Sequence, residues 1–190
     1  MLEQRTALIA ARHVKPLAQG ELSKLCGLYS ILNAMQLALY PRSVSRMELQ
    51  KLYLHGIEHL SRHRQLKRVL SFGMSEEVWL PLWQALASRA NADFGTNLVC
   101  MPVLRGNARN NLGKALQAIA GELESGSPVL ACFGDALDHL TVISGCTERR
   151  ILFFDSSDLR WVEVHNVSLR QGQKRHWLSQ SSVIAVVDDW

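Results

Sequence analysis

The chain of 190 residues has no apolar run longer than about five residues, Val183 to Val187 being typical, so nothing in it reads as a membrane span. No secretory leader is expected either. Glu3 and Arg5 stand ahead of a short apolar stretch from Ala7 to Ala11, too brief and wrongly flanked for one. A cytoplasmic protein with no membrane partner is therefore expected, unless a dedicated system exports it. Cysteine is scarce: four, at positions 26, 100, 132 and 146, with no C-x-x-C spacing. Without a leader, that pattern speaks against a disulfide framework. Strong charge of either sign is absent as well, the net charge being +4 and the isoelectric point about 9.0. The basic cluster of Arg62, His63, Arg64, Lys67 and Arg68 has neither interleaved aromatics nor a known reader motif. It reads as a solvated helix face, and no nucleic-acid partner is expected.

What is present fits an ordinary globular chain, with 47% apolar and 20% charged residues, enough for one domain over 1–190 with a substantial core. The first half is helical by pattern. Leu25, Leu28, Ile31, Leu32, Met35 and Leu39 recur at helical spacing, predicting a buried-faced helix that Pro41 ends near Tyr40. Ser23 as its N-cap places Cys26 in the first turn, where unpaired N–H groups and partial positive charge favour a thiolate. Gly27 beside it has no side chain, so a substrate could approach the sulfur. Ser45 caps a second predicted helix through Leu52 and Tyr53. Ser75 and Glu77 open a third over 78–90, where Trp79 and Trp83 are core.

After Ala92 the pattern changes to short β-rich runs around one more helix, Leu112 to Leu123. The expected strands are 97–104, 128–133, 139–144, 151–154, 161–164 and 183–187. The fold class is α+β, with a helical lobe near 22–92, a mostly antiparallel sheet lobe near 97–190, and a cleft between them for a site.

Two strand ends carry chemistry. His139 opens one strand and Asp155 closes the next, and a hairpin turning near 147–149 brings them side by side. The carboxylate could then fix the imidazole tautomer and raise its proton affinity, leaving the other ring nitrogen for the Cys26 sulfur. A second motif competes, His55-Gly56-Ile57-Glu58-His59, of H-x-x-E-H form with His63 continuing the row. Gly56 weakens a helix there and the basic cluster repels a cation, so no metal is expected and a polar helix face is preferred.

Cys26-Gly27 at a helix start, the Gly126-Ser127-Pro128-Val129 strand entry, strand-initial His139 and strand-final Asp155 together resemble the papain-like cysteine peptidases. The bacteriocin-processing, double-glycine type of bacterial peptidase domain is the closest in pattern. The resemblance implies Cys26 as nucleophile, His139 as base and then acid, and Asp155 as orienter. It also implies an upstream glutamine donating to the oxyanion with the Cys26 N–H, for which Gln19 is the candidate. Gln19 lies seven residues ahead of Cys26, one more than is usual in that family, and the family's frequent Asp-Pro is Asp155-Ser156 here. An aromatic shield of the His–Asp pair is implied too, with Trp161 and Trp177 as candidates. The expected activity is cleavage of a peptide or protein substrate through a thioester, with no cofactor. A transamidase, acyltransferase or glutamine deamidase on the same triad is the alternative, and a non-catalytic binding module is a third reading.

Overall fold

The computed structural model describes residues 6–20 and 24–189. The chain order is β1 (Thr6–Ala7), α1 (Ala10–His13), α2 (Cys26–Ala38), α3 (Arg46–Arg62), α4 (Leu66–Phe72), α5 (Glu76–Phe94), β2 (Leu98–Pro102) and α6 (Leu112–Glu124). The strands β3 (Val129–Asp135), β4 (His139–Cys146), β5 (Arg150–Phe154), β6 (Trp161–Glu163), β7 (Val167–Ser168), β8 (His176–Leu178) and β9 (Ile184–Asp188) follow. The protein is thus α+β, with helices ahead of a mostly antiparallel sheet ordered β2-β9-β3-β4-β5-β6. Both β9 and β8 pair with the same side of β3, at Val129–Leu130 and at Phe133–Asp135 respectively. Among the described residues only β7–β8 is parallel. No described helix is long and apolar enough to cross a membrane.

The helix α2 is the hub. Leu28, Ile31, Leu32 and Met35 are at most 1% exposed, and the helix packs against β4, β9, α3 and α5. A helix apolar on nearly every side belongs in a protein interior. It begins at Cys26 itself, with Leu25 at the cap position and no side-chain cap bond. Cys26 thus stands in the first turn as expected, but as its first residue rather than about three positions in; Ser23, the expected cap, lies outside the described residues. One apolar core runs from α2 and α5, where Trp79 and Trp83 are buried, into Phe133, Val142 and Ile143 of the sheet.

Ser45 caps α3 as expected, in a full capping box: its hydroxyl accepts from the Glu48 N–H at 3.2 Å while its own N–H donates to the Glu48 carboxylate at 2.7 Å. The helix does not weaken at Gly56, however. It continues to Arg62, because Gly56 is where α3 meets α2: a Cβ there would lie 2.7 Å from Leu28 Cδ1. Close packing offsets the glycine's poor propensity, and the histidines of the H-x-x-E-H stretch ride on a continuous helix. The His59 and His63 rings contact each other at 4.5 Å. Among the described residues no three His, Cys, Asp or Glu side chains are grouped to hold a metal ion. Gly56→Val should therefore destabilise the protein by about 1–3 kcal/mol through overpacking. Urea unfolding would read this as a lowered midpoint at unchanged slope; an unchanged midpoint would show that the α2–α3 contact has slack.

Candidate active site

The hairpin forms where the sequence places it. Chains β4 and β5 pair antiparallel around 147–149, with Val142 opposite Phe154 and a bulge between Ile143 and Gly145. Continuing that register past Phe154 sets Asp155 beside Thr141, two residues into β4 on the same face as His139. His139 Nε2 lies 2.6 Å from Asp155 Oδ1, and Thr141 Oγ1 donates to the same oxygen at 2.6 Å. The Ser157 N–H donates to Asp155 Oδ2 at 2.7 Å. The carboxylate, its side chain 0% exposed, is thus held from both sides. Burial alone would raise its pKa, but the His139 hydrogen bond and charge, with Thr141 and Ser157, hold it below the usual carboxylate value.

Helix α2 brings Cys26 to the other side of the imidazole. The Ser30 hydroxyl, one turn further on, donates to the Leu140 carbonyl at 2.7 Å in a buried contact. That bond ties the first turns of α2 to the start of β4 and so registers the sulfur against His139. The Cys26 sulfur and the His139 ring lie close enough for each to shift the other's ionisation. With Nε2 committed to Asp155, the nitrogen left for the sulfur is Nδ1. The backbone N–H groups of Leu140 and Gly27 also point at the sulfur.

Electrostatics follow from these contacts. Burial pushes the Cys26 thiol up, but the His139 hydrogen bond, the Leu140 N–H and the imidazolium charge outweigh it and bring its pKa below the ordinary 9.0. Burial works against a charged His139, yet its hydrogen bonds to Asp155 and Cys26, with their charges, push its pKa up to about 10. These contacts favour the thiolate–imidazolium form of the pair over its neutral form. The other cysteines go the opposite way. Burial drives Cys146 to about 12; burial and then the charges of Glu76, Asp138 and Cys26 take Cys132 to about 12; burial raises Cys100.

Gln19 lies against the turn that holds Asp155. Its N–H donates to the Ser156 carbonyl at 3.0 Å, and its side-chain amide donates to Ser157 Oγ at 2.8 Å. Among the described residues, its buried Oε1 has no partner, nor has Ser156 Oγ. The irregular segment leading into α2 is fixed to that helix by buried Asn33, which accepts from the Leu17 N–H at 2.8 Å and donates to the Leu17 carbonyl at 3.4 Å. Gly27 serves a different purpose from the one expected. It is buried, and a Cβ there would lie 2.7 Å from Met74 Sδ, so the space beside it belongs to Met74 rather than to a substrate. Trp161 stacks on the Arg150 guanidinium at 4.6 Å, toward the turn of the hairpin, and Trp177 packs over Gly134.

Ser30, Thr141 and Asn33 were not legible as site-building residues. Their one signal is polarity at positions where the apolar pattern of α2, or of β4, calls for a core residue. No protein-family model matches the chain, and no curated protein matches it.

Proposed function

We propose that the protein is a papain-like thiol peptidase or isopeptidase, with Cys26, His139 and Asp155 as its triad. The observation that carries this is the series Cys26–His139–Asp155, in which His139 lies 2.6 Å from a buried carboxylate on one side and acts on the Cys26 thiol on the other, lowering its pKa. The thiolate attacks a substrate carbonyl carbon, forming a C–S bond while the carbonyl π pair becomes an oxyanion. The N–H of Cys26, at the first position of α2, has no intrahelical acceptor to occupy it and is one donor to that oxygen. Gln19 is the second. Turning its amide over lets the Ser157 hydroxyl donate to Oε1 and puts the N–H₂ at the position that has no partner among the described residues.

His139 then gives its Nδ1 proton to the departing amine, the C–N bond breaks, and a thioester remains. Next it removes a proton from water, whose oxygen forms the new C–O bond as the C–S bond breaks and the thiolate returns. Asp155 stays ionised throughout. Its buried hydrogen bonds hold the imidazole in the tautomer that presents Nδ1.

Limiting iodoacetamide at pH 7, followed by peptide mapping, tests the ionisation. Label should fall on Cys26 almost alone, since the other three thiols are held protonated; label spread over all four would remove the basis for a nucleophile. Turnover against pH should show a plateau with two limbs. The rising limb follows the lowered Cys26 and lies below pH 9.0, and the falling limb follows loss of the His139 proton near pH 10. A chelator should leave turnover intact; loss on EDTA with rescue by zinc would replace the thiol mechanism with a metal one.

A further inference from the structure

Of the thirteen residues of α2, only Cys26, Tyr29 and Ala38 keep exposure. Positions three apart on a helix are surface neighbours with Cβ atoms about 5–6 Å apart, so Tyr29 is the residue next to the nucleophile on the open strip of α2. It looks into a recess of about 290 Å³ whose walls include Leu17, Leu32, Leu49 and Tyr53, with Arg46 at the rim. The Tyr29 and Tyr53 rings pack against each other in its wall, with centroids 5.7 Å apart. One wall is the segment that carries Gln19, held by Asn33, and another is the helix that carries Cys26. The recess therefore shares both its supports with the catalytic pair. At about 290 Å³ it lies at the small end of ligand pockets and has room for a large apolar side chain.

Its rim carries a matching charge. Arg46 is exposed, is the first residue of α3, and makes no ion pair among the described residues, whereas Arg42 nearby is paired with Glu48 at 3.3 Å. A cation at the positively polarised end of a helix is unfavourable for the helix and strongly attractive to an anion.

We propose that this recess is the specificity subsite of the Cys26 centre, taking a bulky apolar side chain of the peptide substrate while Arg46 holds an acidic residue beside it. The proposal rests on the peptidase reading above and names the substrate that reading leaves open. An extended peptide advances about 3.3 Å per residue, so the bound side chain belongs to a residue one or two from the bond that Cys26 attacks.

The test is to incubate the full chain with a mixed peptide library, made by digesting denatured proteins, and to read new termini by mass spectrometry on both sides of every cut. Phe, Tyr, Leu, Ile or Met should be enriched within two residues of the cut, on the order of tenfold, as one apolar pocket allows. Asp or Glu should be enriched beside them. Gln50→Trp, at an exposed position lining the recess, should abolish the apolar preference by filling it. Arg46→Glu should exchange the acidic preference for a basic one. The rate of Cys26 alkylation in each variant reports whether the catalytic pair is intact. Cutting with no such preference, or with a preference that both variants retain, overturns the subsite and leaves the peptidase reading standing. No cutting of any peptide by the unaltered chain overturns the peptidase reading, and the subsite falls with it.

Discussion

Cys26→Ala and His139→Ala should each lower turnover on a mixed peptide library by about 10⁴–10⁶-fold, the loss expected when one member of a nucleophile–base pair is removed. Alanine at 26 leaves no atom to form the thioester. In the proposed mechanism, alanine at 139 removes the cation that holds the thiolate, so the sulfur reverts toward an ordinary thiol, and it removes the proton donor to the leaving amine. The two losses should not add, because either change alone stops the same step. Stability should move little for Cys26→Ala, since the sulfur is only partly buried and a small side chain replaces another. His139→Ala is different in that respect. It leaves Asp155 buried with a hydrogen-bond partner lost, which costs about 1–3 kcal/mol. Circular dichroism and urea unfolding of both variants separate the two effects. Wild-type turnover in Cys26→Ala would end every version of the thiol mechanism.

The parts of this arrangement that were legible in sequence are those set by local pattern. Helix α2 follows from the spacing of Leu28, Ile31, Leu32 and Met35. The His139–Asp155 pair follows from hairpin arithmetic, because an antiparallel register with a short turn leaves little choice about which ends meet. What stayed hidden depends on contacts distant in sequence. Gly56 reads as a helix breaker until Leu28 is seen packed against it, and only then does α3 extend to Arg62. Strands β7 and β8 are short, lie within a basic polar stretch, and exist because β8 pairs with β3 far upstream. The meeting of Cys26 with His139 was an inference from order alone. In the fold it comes from the packing of α2 on β4, an interface that also holds a buried serine, Ser30, bonded to the Leu140 carbonyl 110 positions away. Polar residues on an otherwise apolar face are the trace such ties leave, but nothing local says what they bind.

Asp155→Asn should lower turnover in a graded way and change the shape of its pH dependence. Asparagine keeps the size of the side chain, and its carbonyl oxygen can still accept from His139 Nε2. The charge is gone, however, and with it a large part of what holds His139 protonated up to about 10. The upper limb of turnover should therefore move to lower pH, and the rising limb should move up as Cys26 loses its full imidazolium partner, so the plateau narrows from both sides. A residual rate well above that of Cys26→Ala is expected near the centre of the plateau. Stability against pH should respond in a second, independent way. Asp155 has a folded-state pKa below its ordinary 3.8, so its ionised form stabilises the native state above that value. This contribution is lost as pH falls through the depressed folded pKa. Wild type should lose stability steeply on acidification below pH 4, and Asp155→Asn should lack that component of the decline. Both readouts are needed. If the variant kept the wild-type upper limb while its acid dependence changed, Asp155 would be holding the β4–β5 hairpin together without setting the charge on His139.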